Sequence, residues 1–337
     1  MKYDGYLRKT AQTDKGDFKT FQTQMKYIDL HCDSVTACSN AGEKFASFSG
    51  QVNAEKLKKA GCFAQCFAIF TEGENAAEDY EKYSAFYRTI LSENLSLTPI
   101  YTAANAIKAQ REGKVAAILT VENAGFLKGD ISGFARLKEQ GVKMLSLVWN
   151  TPNAFAYPNL IFKGGVPDFS AREKRGLTEA GKEAVKELNR LKIIIDVSHL
   201  SDGGAEDVLA LSSAPVVASH SNSHAVCPVS RNLTDSQLRR IADKGGVVGL
   251  NFCKDFIGCD DVFEGLLSHY KHITYVAGED AVALGSDFDG IPRYAQMDDC
   301  TYTGKLLEYF FEKGVSQRMI EKLAYGNFLR VFGEVVG

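Results

Sequence analysis

The 337-residue sequence has one tryptophan, Trp149, and seven prolines, three of which fall between residues 150 and 176. It contains no apolar run approaching the roughly 18 to 20 residues of a membrane span. Its opening, MKYDGYLRKTAQTDKGDFKT, lacks the hydrophobic centre of a secretory signal. Neither charge sign dominates: 39 Lys and Arg face 42 Asp and Glu, a net charge of −3, with the two signs interspersed. That leaves no basic footprint for nucleic acid or for an anionic membrane surface. The eight cysteines are spread along a long chain without paired zinc-knuckle spacing, and Cys62 and Cys66 lie in an apolar run as packed thiols. Internal repeats and low-complexity tracts are also missing. The expected compartment is the cytoplasm, and the expected partners are small molecules, not nucleic acid or membrane.

What is present is a regular alternation. With 45% hydrophobic and 24% charged residues the chain is long enough for one large α/β barrel or for two domains. Residues 1–24 are polar and aperiodic and read as an N-terminal extension to a single domain over 25–337. From there, strand-like runs alternate with charged stretches of helical spacing. The strand candidates are YIDLHC, CFAQCFAIF, VAAILTVE, VKMLSLVW, IIIDVSH, PVVASH, GVVGLNF and AVALGSD. Helix candidates between them include AAEDYEKYSAFYRTILSENL, LTEAGKEAVKELNRL and LTDSQLRRIADKG, the last two with Thr178 and Thr234 as N-caps. Eight such units favour a closed (β/α)8 TIM barrel over an open sheet. The stretch from about 150 to 176, with Gly164 and Gly165, reads as an ordered loop over the barrel mouth.

Barrel enzymes carry their chemistry at the C-terminal ends of strands. The first run ends in His31 and Asp33, which share one face of an extended strand while Cys32 takes the other. The third ends in Glu122, the fifth in His199, the sixth in His220 and the eighth in Asp287. Three of the six histidines thus meet three carboxylates on one face. His269 and His272, in a helical stretch, read as structural. Three imidazoles with two or three carboxylates suit two borderline divalent ions such as Zn2+, whereas one zinc needs only three or four ligands. One carboxylate must then bridge, and Glu122 is placed between the His-x-Asp pair and the other two histidines. Two ions about 3.5 to 4 Å apart hold a water between them as a nucleophilic hydroxide. Asp287 is left free to move the proton, with Asp289 of SDFDG on the same expected strand face as its rival.

These motifs resemble the membrane dipeptidase family, the renal dipeptidase-like peptidases among the metal-dependent amidohydrolase barrels. DLHCD, VEN, DVSHLS, SHSNSHAVCPVSRN and GSDFDG occur in the family's order, and the likeness runs from about residue 28 to the C-terminus. The resemblance implies that His31, Asp33 and Glu122 bind one zinc and that Glu122, His199 and His220 bind the second. It implies Arg231 for the dipeptide carboxylate and Asp287 for the proton, and a homodimer is an expectation of the family alone. This chain resembles the prokaryotic cytoplasmic members without a membrane anchor. It departs from the membrane-bound ones at LSLVWNTPN, where Trp149 or a neighbour stands in place of a substrate-contacting histidine; indole donates one N–H but cannot become a cation. Trp149 is then either a substrate contact or a pocket wall.

The leading expectation is a binuclear zinc dipeptidase acting on free dipeptides, with L,D-dipeptides in its scope. The alternatives are a related amidohydrolase acting on a lactone, cyclic amide or N-acyl amino acid, and a metal-bound scaffold. Arg231 separates the first two, because a fixed guanidinium suits a free carboxylate and has little to do with an uncharged ring.

Overall fold

The computed structural model describes residues 25–337, and the expected extension over 1–24 lies outside the described residues. The strands are β1 (Tyr27–Asp29), β2 (Cys62–Phe70), β3 (Leu97–Pro99), β4 (Val115–Glu122), β5 (Met144–Ser146), β6 (Ile161–Lys163), β7 (Val166–Asp168), β8 (Ile194–Asp196), β9 (Val217–Ala218), β10 (Val247–Leu250) and β11 (Val282–Leu284). In the order β1, β2, β4, β5, β8, β9, β10, β11 they pair in parallel, and Asp29 opposite Leu284 closes the ring. These are the eight expected runs, and the fold is a (β/α)8 barrel. Two features were not expected. β3 pairs with the first residues of β4, Leu97 opposite Val115, beside the ring. β6 and β7 make an antiparallel hairpin within the 150–176 loop, turned by Gly164 and Gly165, both at positive φ (59° and 82°). Such a two-residue turn needs positive φ at both positions, which glycine adopts without steric cost.

Helices fill the crossovers, among them α1 (Ala76–Glu93), α2 (Glu179–Leu191), α3 (Asp235–Asp243) and α4 (Val262–Ala277), with α5 (Asn327–Val335) at the C-terminus. The expected caps are in place: the Thr178 hydroxyl accepts from Gly181 N–H, and Thr234 forms a capping box with Gln237.

Strand alternation sorts the core into two layers. Ile28, Ala64, Ala116, Met144, Ile194, Val217, Val247 and Ala283, one from each ring strand, form an inner cluster with Phe328, Val331 and Phe332 of α5. Their sequence neighbours Leu145, Ile195, Val248 and Val282 point outward to the helix layer. The C-terminal helix therefore plugs the end of the barrel where the strands begin, leaving the other end open. Along the inward face of β4, Ala116 and Ile118 are followed by Thr120 and Glu122. Along β11, Ala283 is followed by Gly285 and Asp287. At Gly285 any side chain would run into the backbone of Ser219, so glycine is required there.

His269 on α4 is structural, as expected. Its Nδ1 accepts from Ser223 N–H at 3.2 Å and its Nε2 lies 3.1 Å from the Ile257 carbonyl, to which it donates. Burial lowers its pKa to about 4. An unfolded histidine takes a proton near pH 6.5, so this neutral ring contributes stability that is present above about 6.5 and lost as pH falls to 4, about 3 kcal/mol in all. Urea denaturation in chelator at pH 7 and pH 4 tests this. The acid loss should be about 3 kcal/mol smaller in His269→Gln than in the wild type, and equal losses would remove His269 from the acid response.

Candidate active site

At the open end the ladder of β1 and β11 continues through Cys32 opposite Phe288, with Asp33 N–H donating to Phe288 O and Asp287 N–H to His31 O. This draws the first and last strand ends together. Cys32 turns away, its thiol bonded to Cys66 O, while His31 and Asp33 face the mouth as alternation predicted. His31 Nε2 lies 3.6 Å from Asp33 Oδ2, 3.6 Å from Glu122 Oε2 and 3.9 Å from Asp287 Oδ1. The other Glu122 oxygen, Oε1, lies 2.9 Å from His199 Nε2 and 3.6 Å from His220 Nε2. The two histidine Nε2 atoms are 3.0 Å apart. Glu122 thus has one oxygen in each of two donor groups.

The sequence places Asp287 and Asp289 on one strand face; the structure does not. Both have φ of 65°, left-handed backbone that ends the alternation. Asp287 stays in the cluster, with Asn251 Nδ2 donating to its Oδ2 at 3.0 Å. Asp289 is turned away to accept from Gln51 N–H, Val52 N–H and the Ser34 hydroxyl. Gly290 follows, and a side chain there would collide with the Asp33 carboxylate.

Arg231 is 97% buried in the wall of the cavity. It donates to Ser198 O and to His220 O, with Nη2 3.2 Å from His199 Nε2. Trp149 lines the cavity, its ring packed edge-on against Phe70 at 4.7 Å and 6.2 Å from the His199 ring. Its neighbour Asn150 makes the polar contact instead, its Oδ1 accepting from His199 Nδ1 at 3.1 Å.

That contact fixes a tautomer. With Nδ1–H spent on Asn150, the His199 Nε2 lone pair faces the cluster. His220 is fixed alike, its Nδ1 2.6 Å from Ser219 Oγ, whose own proton goes to Asp196 Oδ2 at 2.5 Å. Asp196 also accepts from Ser198 N–H, Ser198 Oγ–H and Ser219 N–H, tying together the ends of β8 and β9. Asp29 does the same for β1 and β11, accepting from Ser286 N–H and Oγ–H, from Gln65 and from His31 N–H. Asn150, Asn251, Asp29 and Asp196 escaped the sequence analysis. The two asparagines close strand-like runs as the histidines do, and that placement was the available signal.

The charge state asks for cations. Burial pushes the Glu122 carboxyl up to about 7 against the pull of His31, and burial also raises Asp287. Burial holds His199 and His220 well below the usual imidazole range, aided by Arg231 and by His31. Burial opposes protonation of His31, but Glu122 and Asp33 outweigh it and raise its pKa well above the ordinary value. His31 Nε2 and Asp33 Oδ1 are buried without a hydrogen-bond partner among the described residues. The donors of His31, Asp33 and Glu122, and those of Glu122, His199 and His220, form sets whose atoms lie within 4.8 Å of one another. Donors about 3.3 Å apart are what bonds of about 2.0 to 2.1 Å require around a tetrahedral ion. The residues fit small divalent cations.

A model of the membrane dipeptidase family, peptidase family M19, matches residues 16–336. The chain belongs to this family. Among membrane dipeptidase relatives of known structure, it is 29% identical to the metallopeptidase described as dipeptidase AC, over 93% of this chain and 99% of that one, with a TM-score of 0.86. It is 28% identical to a metallopeptidase from Rhodobacter sphaeroides solved with a phosphinate mimic of the dipeptide L-Ala-D-Ala, over 93% and 99% of the two chains, with a TM-score of 0.81. It is 37% identical over 259 residues to a Klebsiella pneumoniae protein described as uncharacterized in the pqqA 5′ region, 74% of this chain and 94% of that one. Among the described residues no helix is long and apolar enough to cross a membrane.

Asp196→Ala removes the acceptor of four buried donors, at about 1 kcal/mol each, so about 4 kcal/mol of stability should be lost in chemical denaturation. A loss below about 1 kcal/mol would mean that the strand ends do not depend on it.

Proposed function

We propose that the protein is a zinc-dependent dipeptidase that hydrolyses the single peptide bond of free dipeptides. The observation that carries this is the Glu122 carboxylate with one oxygen in each donor group, 2.9 Å from His199 Nε2 and 3.6 Å from His31 Nε2, beside a buried arginine. In this reading His31, Asp33 and Glu122 hold one ion and Glu122, His199 and His220 hold the second. When bound, two zinc ions supply the Lewis acidity that polarises a scissile carbonyl and brings the pKa of a water toward neutrality.

The chain's own groups do the rest. Asp287 accepts the proton of the attacking water and returns it to the leaving amine. Asn251 holds Asp287 Oδ2 so that Oδ1 faces the reacting atoms. Asn150 and Ser219 keep His199 and His220 in the tautomer that leaves Nε2 unprotonated. Arg231 receives the substrate's terminal carboxylate, and Trp149 serves as a wall. The Rhodobacter relative's L-Ala-D-Ala mimic supports including dipeptides with a C-terminal D-residue. The partners in this reading are free dipeptides in the cytoplasm, and the interspersed charge offers no basic footprint for nucleic acid or a membrane surface.

Because Arg231 also ties Ser198 O and His220 O in place, its contribution is best measured from the substrate side. A charge-assisted pair with a carboxylate is worth about 1.5 to 3 kcal/mol, or roughly ten- to a hundredfold in kcat/KM. Wild-type enzyme should therefore cleave a C-terminally amidated dipeptide that much more slowly than the matched free dipeptide. Equal kcat/KM would remove Arg231 from substrate binding and favour a lactone or cyclic amide as substrate.

A further inference from the structure

Above the donor cluster lies a cavity of about 600 Å3 whose charged lining is already committed. Asp33, Glu122 and Asp287 belong to the cluster, and Asp289 is held by Ser34, Gln51 and Val52. Among the described residues Arg231 is the one Lys or Arg in the lining. The wall beside Arg231 is apolar. The Phe256 ring sits 5.4 Å from the guanidinium carbon, Phe169 meets Phe256 edge-on at 5.8 Å, and Leu160, with Phe162 and Pro167 of the β6–β7 hairpin, extends the surface toward the mouth. This wall and the guanidinium form one built unit. Ser230 N–H donates to Phe169 O at 2.6 Å, and Arg172 donates to Asn232 O at 3.1 Å, so the segment carrying Phe169 is pinned to both neighbours of Arg231.

We propose that Phe169, Phe256 and the hairpin form the side-chain subsite for the C-terminal residue of the dipeptide, and that the enzyme selects uncharged dipeptides with a large apolar C-terminal residue. This rests on the dipeptidase reading, in which the terminal carboxylate meets Arg231. The side chain on the adjacent Cα then falls within a few ångströms of the Phe256 ring. An apolar side chain leaves water there and gains dispersion contacts with two aromatic rings. A charged side chain loses its hydration and finds no group to pair with, since every acid and the single guanidinium lining the cavity are engaged.

The test is kcat/KM of the zinc-loaded enzyme on Ala-Gly, Ala-Ala, Ala-Leu, Ala-Phe, Ala-Asp and Ala-Lys, repeated for Phe169→Ala and for Phe256→Ala. The two variants alter separate loops, so a folding defect in one leaves the other informative. In the wild type, kcat/KM should rise about ten- to a hundredfold from Ala-Gly to Ala-Leu or Ala-Phe, with Ala-Asp and Ala-Lys below Ala-Gly. Each variant should shrink the Ala-Leu to Ala-Gly ratio by about fivefold or more. A flat series, a preference for Ala-Asp or Ala-Lys, or an unchanged ratio in both folded variants would overturn the subsite while leaving the dipeptidase reading intact. Failure to cleave any of the six, or their counterparts with a C-terminal D-residue, would overturn that reading, and the subsite with it.

Discussion

The Glu122 carboxylate turns one oxygen toward His31 and the other toward His199 and His220. Only a closed ring offers that position. β4 sits between β2, which leads back to β1 and its His31, and β5, which leads on to β8 and β9 with the other two histidines. The closure of β11 on β1 then brings Asp287 to the same mouth. Such crowding of carboxylates is unfavourable alone. Glu122 sits at about 7 because burial disfavours its charge and Asp33 and Asp287 add repulsion. Cations in the same space reverse both effects, since a bound ion is the largest local charge and stabilises every carboxylate around it.

Holding these donor atoms close together requires a frame, and the frame is polar. Asp29 ties the ends of β1 and β11 and Asp196 those of β8 and β9, so the four strands that supply His31, Asp287, His199 and His220 are joined in pairs by buried carboxylates outside the cluster. Two glycines complete it: Gly285 lets β11 approach Ser219, and Gly290 lets the chain pass the Asp33 carboxylate. A site built this way is positioned by strands and their immediate hydrogen bonds, which suits chemistry sensitive to small displacements. The hairpin over the mouth is by contrast exposed, with Phe162 47% and Val166 66% accessible.

Much of the barrel and the cluster was legible because two periodicities alternate along the chain and because strand ends point to one face. The eight runs became the eight ring strands, and the polar residue closing five of them entered the cluster. What escaped has identifiable causes. Alternation cannot separate Asp287 from Asp289 once the backbone turns left-handed between extended residues. The motif SHSNSHAVCPVSRN carries Arg231 but says nothing of where it packs, and it packs inward because the carbonyls of Ser198 and His220 accept its donors. Asn150 and Asn251 carry no charge and belong to no ligand pattern, although both orient groups that do. β3 is three residues long, too short to show a period, and the β6–β7 hairpin was announced only by Gly164 and Gly165.

In the proposed function one carboxylate is shared between two metal ions. This sharing is tested most directly by the metal content of zinc-loaded, desalted protein, measured by elemental mass spectrometry for the wild type and for Glu122→Gln, with far-UV circular dichroism to check the fold. About two zinc ions per wild-type chain are expected and about one or none in the folded variant, because an amide is neutral and a far poorer bridge. A wild type that holds one ion or none, or a Glu122→Gln protein that still holds both, would contradict it.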